Sequence, residues 1–115
     1  MKKVALFAFN GDAMCFIHVL LNALDMHEKQ VEATIVLEGA ATRLIPELAQ
    51  DGSPLYQLFQ KVRTLGLVAG ACRACATKTG TAEAAKAQSL TLLDDMHGHP
   101  GMARFQDAGF DIITF

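Results

Sequence analysis

Lys3–Phe9 reads KVALFAF, and Asn10-Gly11-Asp12 brings that run to a stop. A nearly continuous apolar, β-prone run of this length is what a strand buried on both faces requires, and such strands belong to parallel sheets covered by helices. Asp12 is a suitable N-cap for the segment that follows, where Phe16, Val19, Leu20, Ala23, Leu24 and His27 fall at i, i+3, i+4, i+7, i+8 and i+11. The chain therefore opens as a strand followed by an amphipathic helix. The same alternation continues downstream. Val31–Leu37 (VEATIVL) reads as a second strand closed by Glu38-Gly39, and its β-branched residues fit a helix poorly. Ala40–Ala49 and Leu55–Arg63 carry helical spacing on either side of Asp51-Gly52-Ser53-Pro54. Leu65–Ala69 is the expected third strand, with Gly70 after it. Ala71–Ala87 reads as a short helix, a turn and a second helix from about Thr81. Ser89–Leu93 then reads as a fourth strand, Gly101–Ala108 as a short helix and Phe110–Phe115 as a last strand. The expected architecture is an α/β sandwich around a mainly parallel sheet of about five strands.

Length and composition agree with one domain over residues 1–115. Hydrophobic residues make up 51% and charged residues 19% of the chain, and mean hydropathy is +0.25, which excludes an intrinsically disordered polypeptide. A formal net charge of −2 with no basic cluster excludes a typical nucleic-acid binder. A small domain this apolar buries a modest share of its surface alone, so a closed homo-oligomer is expected. Val4–Phe9 is too short for a secretory h-region, and no run approaches the length of a membrane span, so the chain reads as cytoplasmic. Three cysteines, an odd number, do not form a stapled secreted framework. In a reducing compartment they are free for chemistry.

Ligands of open parallel α/β sheets bind outside the carboxyl ends of the strands. Three loops qualify: Asn10-Gly11-Asp12, Glu38-Gly39-Ala40 and Gly70-Ala71-Cys72. Cys72 at a strand-to-helix junction, with Arg73 beside it, is expected to have a lowered thiol pKa, the alternative being a small buried residue in an alanine-rich turn. Cys75 completes Cys72-Arg73-Ala74-Cys75, a spacing at which a thiolate and a resolving thiol exchange a disulfide. Cys15, His18 and His27 read as packing or surface residues. Met96-His97-Gly98-His99-Pro100 supplies two histidines that, with the CxxC pair, have the donor types of a zinc site. The intervals differ from those of zinc fingers, however, and no metal is assigned. There is no GxGxxG, P-loop or recognisable triad, and no cofactor is assigned.

In its order of motifs the chain resembles the DsrE/DsrF-like (YchN/TusD-type) small sulfur-relay family. The resemblance covers nearly the whole chain. It rests on MKKVALFAF, the helix after Asn10-Gly11-Asp12, the turn at Glu38-Gly39, the cysteine after the third strand in VAGACRACATKTG and the ITF ending. It implies a three-layer α/β/α fold, assembly into dimers, trimers or hexamers, and a cysteine at Cys72 that accepts sulfane sulfur as a persulfide from a donor protein and passes it to an acceptor. Two other readings stay open. One is a non-enzymatic oligomer binding a small ligand or partner near Asn10, Gly39 and Cys72; the other is a CxxC redox or metal protein.

Overall fold

In the computed structural model, which describes residues 1–115, strands β1 (Lys3–Ala8), β2 (Glu32–Leu37), β3 (Val68–Cys72), β4 (Leu92–Leu93) and β5 (Asp111–Thr114) form one sheet. Every pairing is parallel, in the order β4-β3-β2-β1-β5. Parallel neighbours need crossovers. The chain supplies them with helices α1 (Ala13–Glu28), α2 (Pro54–Thr64), α3 (Arg73–Thr79), α4 (Ala82–Ala87) and α5 (Met102–Asp107). The result is a three-layer α/β/α sandwich. No helix is long and apolar enough to cross a membrane.

Strand periodicity explains the unbroken apolar run of β1. Val4, Leu6 and Ala8 join Ala33, Ile35 and Leu37 of β2 in the larger core, against Phe16, Val19, Leu20 and Ala23 of α1 and Leu55, Phe59 and Val62 of α2. Ala5, Phe7 and Val36 point to the opposite face, where Phe105 of α5 meets Phe7 edge-to-face at a centroid separation of 5.4 Å. Both faces of β1 are thus covered, and alternation is invisible in its sequence. His27, counted with the stripe of α1, is exposed; Met26 takes the apolar contact and leaves the polar ring in water.

Two expectations are corrected by local backbone chemistry. The third strand lies three residues further on than Leu65–Ala69. Leu65 and Gly66 close α2 instead, their N–H groups donating to the carbonyls of Lys61 (3.1 Å) and Arg63 (2.9 Å). Gly70 then sits inside β3 at φ +152°, where a Cβ would collide with the carbonyl oxygen of Thr91 leading into β4. Ala40–Ala49 is not one helix but two 3-10 segments, Gly39–Leu44 and Glu47–Ala49. Pro46 lies between them and has no N–H to give the carbonyl of Thr42, so the chain takes the tighter i→i+3 bond from Ile45 to Thr42 at 3.2 Å.

Candidate thiol site at the carboxyl edge of the sheet

The shift of β3 makes Cys72 both the last residue of the strand and the N-cap of α3. Cys75, one helical turn on, turns its backbone N–H back to the Cys72 sulfur at 3.3 Å. Capping geometry therefore holds the Cys72 sulfur against the Cys75 backbone, and the two sulfurs lie within 4.8 Å of each other. Glu38 follows the end of β2, the neighbouring strand, and is 8% exposed.

A fourth side chain arrives from the loop after β4. Met96 and His99 pair through two backbone hydrogen bonds, Met96 N–H to His99 O at 2.7 Å and His99 N–H to Met96 O at 2.9 Å. The two residues between them, His97 and Gly98, have φ of +49° and +89°, as a tight I′ turn demands. Three contacts hold this loop. Ala74 N–H donates to Gly98 O at 2.9 Å, Arg73 pairs with Asp94 at 3.0 Å, and the Asp95 carboxylate accepts from Gly101 N–H at 3.3 Å. The consequence is that His99 Nδ1 stands 3.1 Å from Cys72 Sγ, 3.7 Å from Cys75 Sγ and 3.8 Å from Glu38 Oε1.

Burial divides the two thiols. Cys72 is completely buried, and its thiol is pushed up to about 12. Loss of hydration outweighs the stabilising N–H of Cys75, and the adjacent Cys75 thiol and Glu38 carboxyl oppose a further negative charge. The expected lowering of its pKa is therefore overturned. Arg73, offered as the cause, turns outward to Asp94 and is half exposed. Glu38 is likewise pushed above its ordinary range by burial, with His99 acting in the other direction. Cys75 is partly exposed and lines a cavity of about 330 Å³ together with Gly39, Ala40, Arg43, Lys78 and Thr79. Two cations and no carboxylate line that cavity.

The structure thus brings together Cys72, Cys75 and Glu38, with Gly39 on the adjoining cavity, at the carboxyl ends of neighbouring parallel strands. The first loop is different. Asn10 Oδ1 accepts from Asp12 N–H and Asp12 Oδ1 from Met14 N–H, each at 2.8 Å, so both side chains are spent on starting α1. Gly11 packs against Ala40. Arg43 and Lys78 carry no signal in the sequence, and His99 carries only the HxH motif, whose distance from the CxxC pair differs from finger spacings.

In reduced, metal-free protein, iodoacetamide is expected to label Cys75 before Cys72. Labelling of Cys72 should rise about tenfold per pH unit through the neutral and alkaline range, following its thiolate fraction. Peptide mapping by mass spectrometry checks this, and Cys72 reacting first at pH 7 would contradict it.

Fold and site together define a small parallel α/β/α protein with a dithiol, an imidazole and a carboxyl converging beyond three adjacent strands. The chain belongs to the same family as the uncharacterized protein MJ0733 of Methanocaldococcus jannaschii, to which it is 35% identical over 96 residues, covering 84% of this chain and 76% of that protein. An uncharacterized protein of Archaeoglobus fulgidus is 42% identical over 52 residues, which is 45% of this chain and 84% of that protein. No family model matches the chain, and no solved structure matches it.

Proposed function

We propose that the protein is a sulfane-sulfur carrier in which Cys75 receives the sulfur and Cys72 is its exchange partner. The observation that carries this reading is the pair of thiols at 3.1 and 3.7 Å from one imidazole nitrogen, with the partly exposed thiol opening on a cavity lined by Arg43 and Lys78. The resemblance to the DsrE/DsrF-like sulfur-relay family supports it. Sequence alone favours Cys72 as the carrier; its burial moves the point of entry to Cys75.

In the loading step, His99 Nδ1 takes the Cys75 thiol proton and the thiolate attacks the outer sulfur of a donor persulfide, R–S–SH. The donor S–S bond breaks, its electron pair leaves on R–S⁻, and that thiolate takes up the proton. Cys75–S–SH remains, and no external oxidant or reductant is consumed. An acceptor thiolate repeats the attack on the outer sulfur to unload it. Cys72, whose sulfur lies within 4.8 Å of the Cys75 sulfur, is placed to attack the inner sulfur instead, displacing HS⁻ and leaving a Cys72–Cys75 disulfide. Arg43 and Lys78 favour an anionic donor such as a polysulfide or the persulfide of a donor protein.

The test is intact mass after incubation of the reduced protein with polysulfide, where one transferable adduct of ~32 Da is expected. A protein that takes up no sulfur removes the reading. The cytoplasm, with donor and acceptor proteins, is the compartment this chemistry fits. Self-association, as a dimer, trimer or hexamer, belongs to the same proposal and is favoured by exposed Leu21, Leu65 and Ile113. Sedimentation velocity is expected to show a closed oligomer at micromolar concentration, and a strict monomer would contradict it.

A further inference from the structure

We propose that Glu38, Cys72, Cys75 and His99 together form a four-coordinate site for a zinc-class divalent cation. This goes beyond sulfur transfer and does not rest on it, although both use the same thiols and a bound ion would exclude sulfur loading.

Donor chemistry is the first argument. Two sulfurs, an imidazole nitrogen and a carboxylate oxygen are the protein ligands zinc takes, and softer thiolate and imidazole donors disfavour magnesium or calcium. Geometry is the second. One ligand atom from each residue lies within 4.8 Å of all the others. Bonds of ~2.0–2.3 Å to a tetrahedral ion space its ligand atoms ~3.3–3.8 Å apart. The three separations measured from His99 Nδ1, at 3.1, 3.7 and 3.8 Å, fall at or next to that range.

Charge is the third. The Glu38 carboxyl is one-tenth exposed, receives no N–H or O–H hydrogen bond, and has His99 at 3.8 Å as its ionic partner. Two thiols and a carboxyl packed around one imidazole lack the positive charge their ionised forms need, and a dication supplies it. On binding, the two thiol protons leave to solvent and two metal–sulfur bonds replace the S–H bonds. Preorganisation is the fourth. His99 is carried on the tight turn at His97-Gly98, and that loop is tied to α3 by Arg73–Asp94 and by Ala74 N–H to Gly98 O, so the four donors are held before any ion arrives.

Titration of the reduced, metal-free full chain with Co²⁺ alone tests the site. One equivalent is expected to develop thiolate-to-cobalt charge-transfer bands with the intense visible bands of a tetrahedral ion, and one equivalent of Zn²⁺ should bleach them. In competition against a chromophoric chelator, His99→Ala and Glu38→Gln are each expected to weaken Zn²⁺ by more than the ~10-fold that loss of an outer-shell partner already costs. Cys75→Ser should remove about half of the charge-transfer intensity. Glu38→Gln keeps shape and removes charge, so it reports on coordination even where a cysteine variant folds poorly. An octahedral cobalt spectrum without thiolate bands, or either Glu38→Gln or His99→Ala matching the parent in zinc affinity, overturns the proposal. Sulfur uptake is read separately by mass on metal-free protein. Intact cobalt bands without a sulfur adduct would remove the carrier reading alone, and the converse would remove the metal site alone.

Discussion

Cys75→Ser is expected to abolish the ~32 Da sulfane adduct, whereas Cys72→Ser is expected to keep it and lengthen its life. A serine hydroxyl at residue 75 is too weak a nucleophile to take sulfur from a persulfide at neutral pH, and no other exposed thiol lines the cavity. Serine at residue 72, by contrast, is a preferred N-cap and can accept the Cys75 N–H that the sulfur now accepts at 3.3 Å, so α3 keeps its start. What that variant loses is the group that attacks the inner sulfur and expels HS⁻. A time course of intact mass in the parent and both variants separates the roles. An adduct that survives Cys75→Ser and vanishes in Cys72→Ser would return the carrier role to Cys72. Equal decay in the parent and Cys72→Ser would retire the exchange step.

Gly70→Ala is expected to destabilise the fold by about 2–6 kcal/mol, the sum of backbone strain at a positive φ and overpacking against a neighbouring strand. Residue 70 holds φ +152°, and its missing side chain makes room for the Thr91 carbonyl. The oxygen cannot simply move aside, because it accepts the Ala71 N–H at 2.9 Å. β4 pairs with β3 only through Ala71↔Leu92 and Cys72↔Leu93, so pushing Thr91 away disturbs the short sheet edge that carries the His99 loop. Chemical denaturation of the parent and variant measures the effect. A variant within about 0.5 kcal/mol of the parent, the range of ordinary surface changes, would show that the β3–β4 junction is not the constraint proposed.

Whatever a few neighbouring residues can decide is legible in the chain. The two-sided burial of Lys3–Ala8, the Asp12 cap, the amphipathic stripe from Phe16 to Ala23 and the placement of Glu38 at a strand end all follow from local periodicity and turn chemistry. So does the proximity of Cys72 and Cys75, since the side chain of a cap turns back to the backbone N–H of the residue three positions on. Ambiguity began where two local readings compete. Leu65–Ala69 is equally apolar as a strand or as a helix end, and the approach of Thr91, twenty-one positions beyond Gly70 in the chain, selected Val68–Cys72. The rest depends on long-range packing. His99 meets Cys72 across 27 residues because a parallel sheet aligns the carboxyl ends of β2, β3 and β4, and that alignment leaves no periodic trace in the chain. Packing also decides which thiol meets solvent. Adjacency sets Arg73 beside Cys72, yet successive residues at a strand end point to opposite sides, so the cation faces Asp94 and the sulfur faces the interior. Adjacency in sequence fixes distance along the backbone; the direction of each side chain, and hence its charge environment, is set by what packs around it.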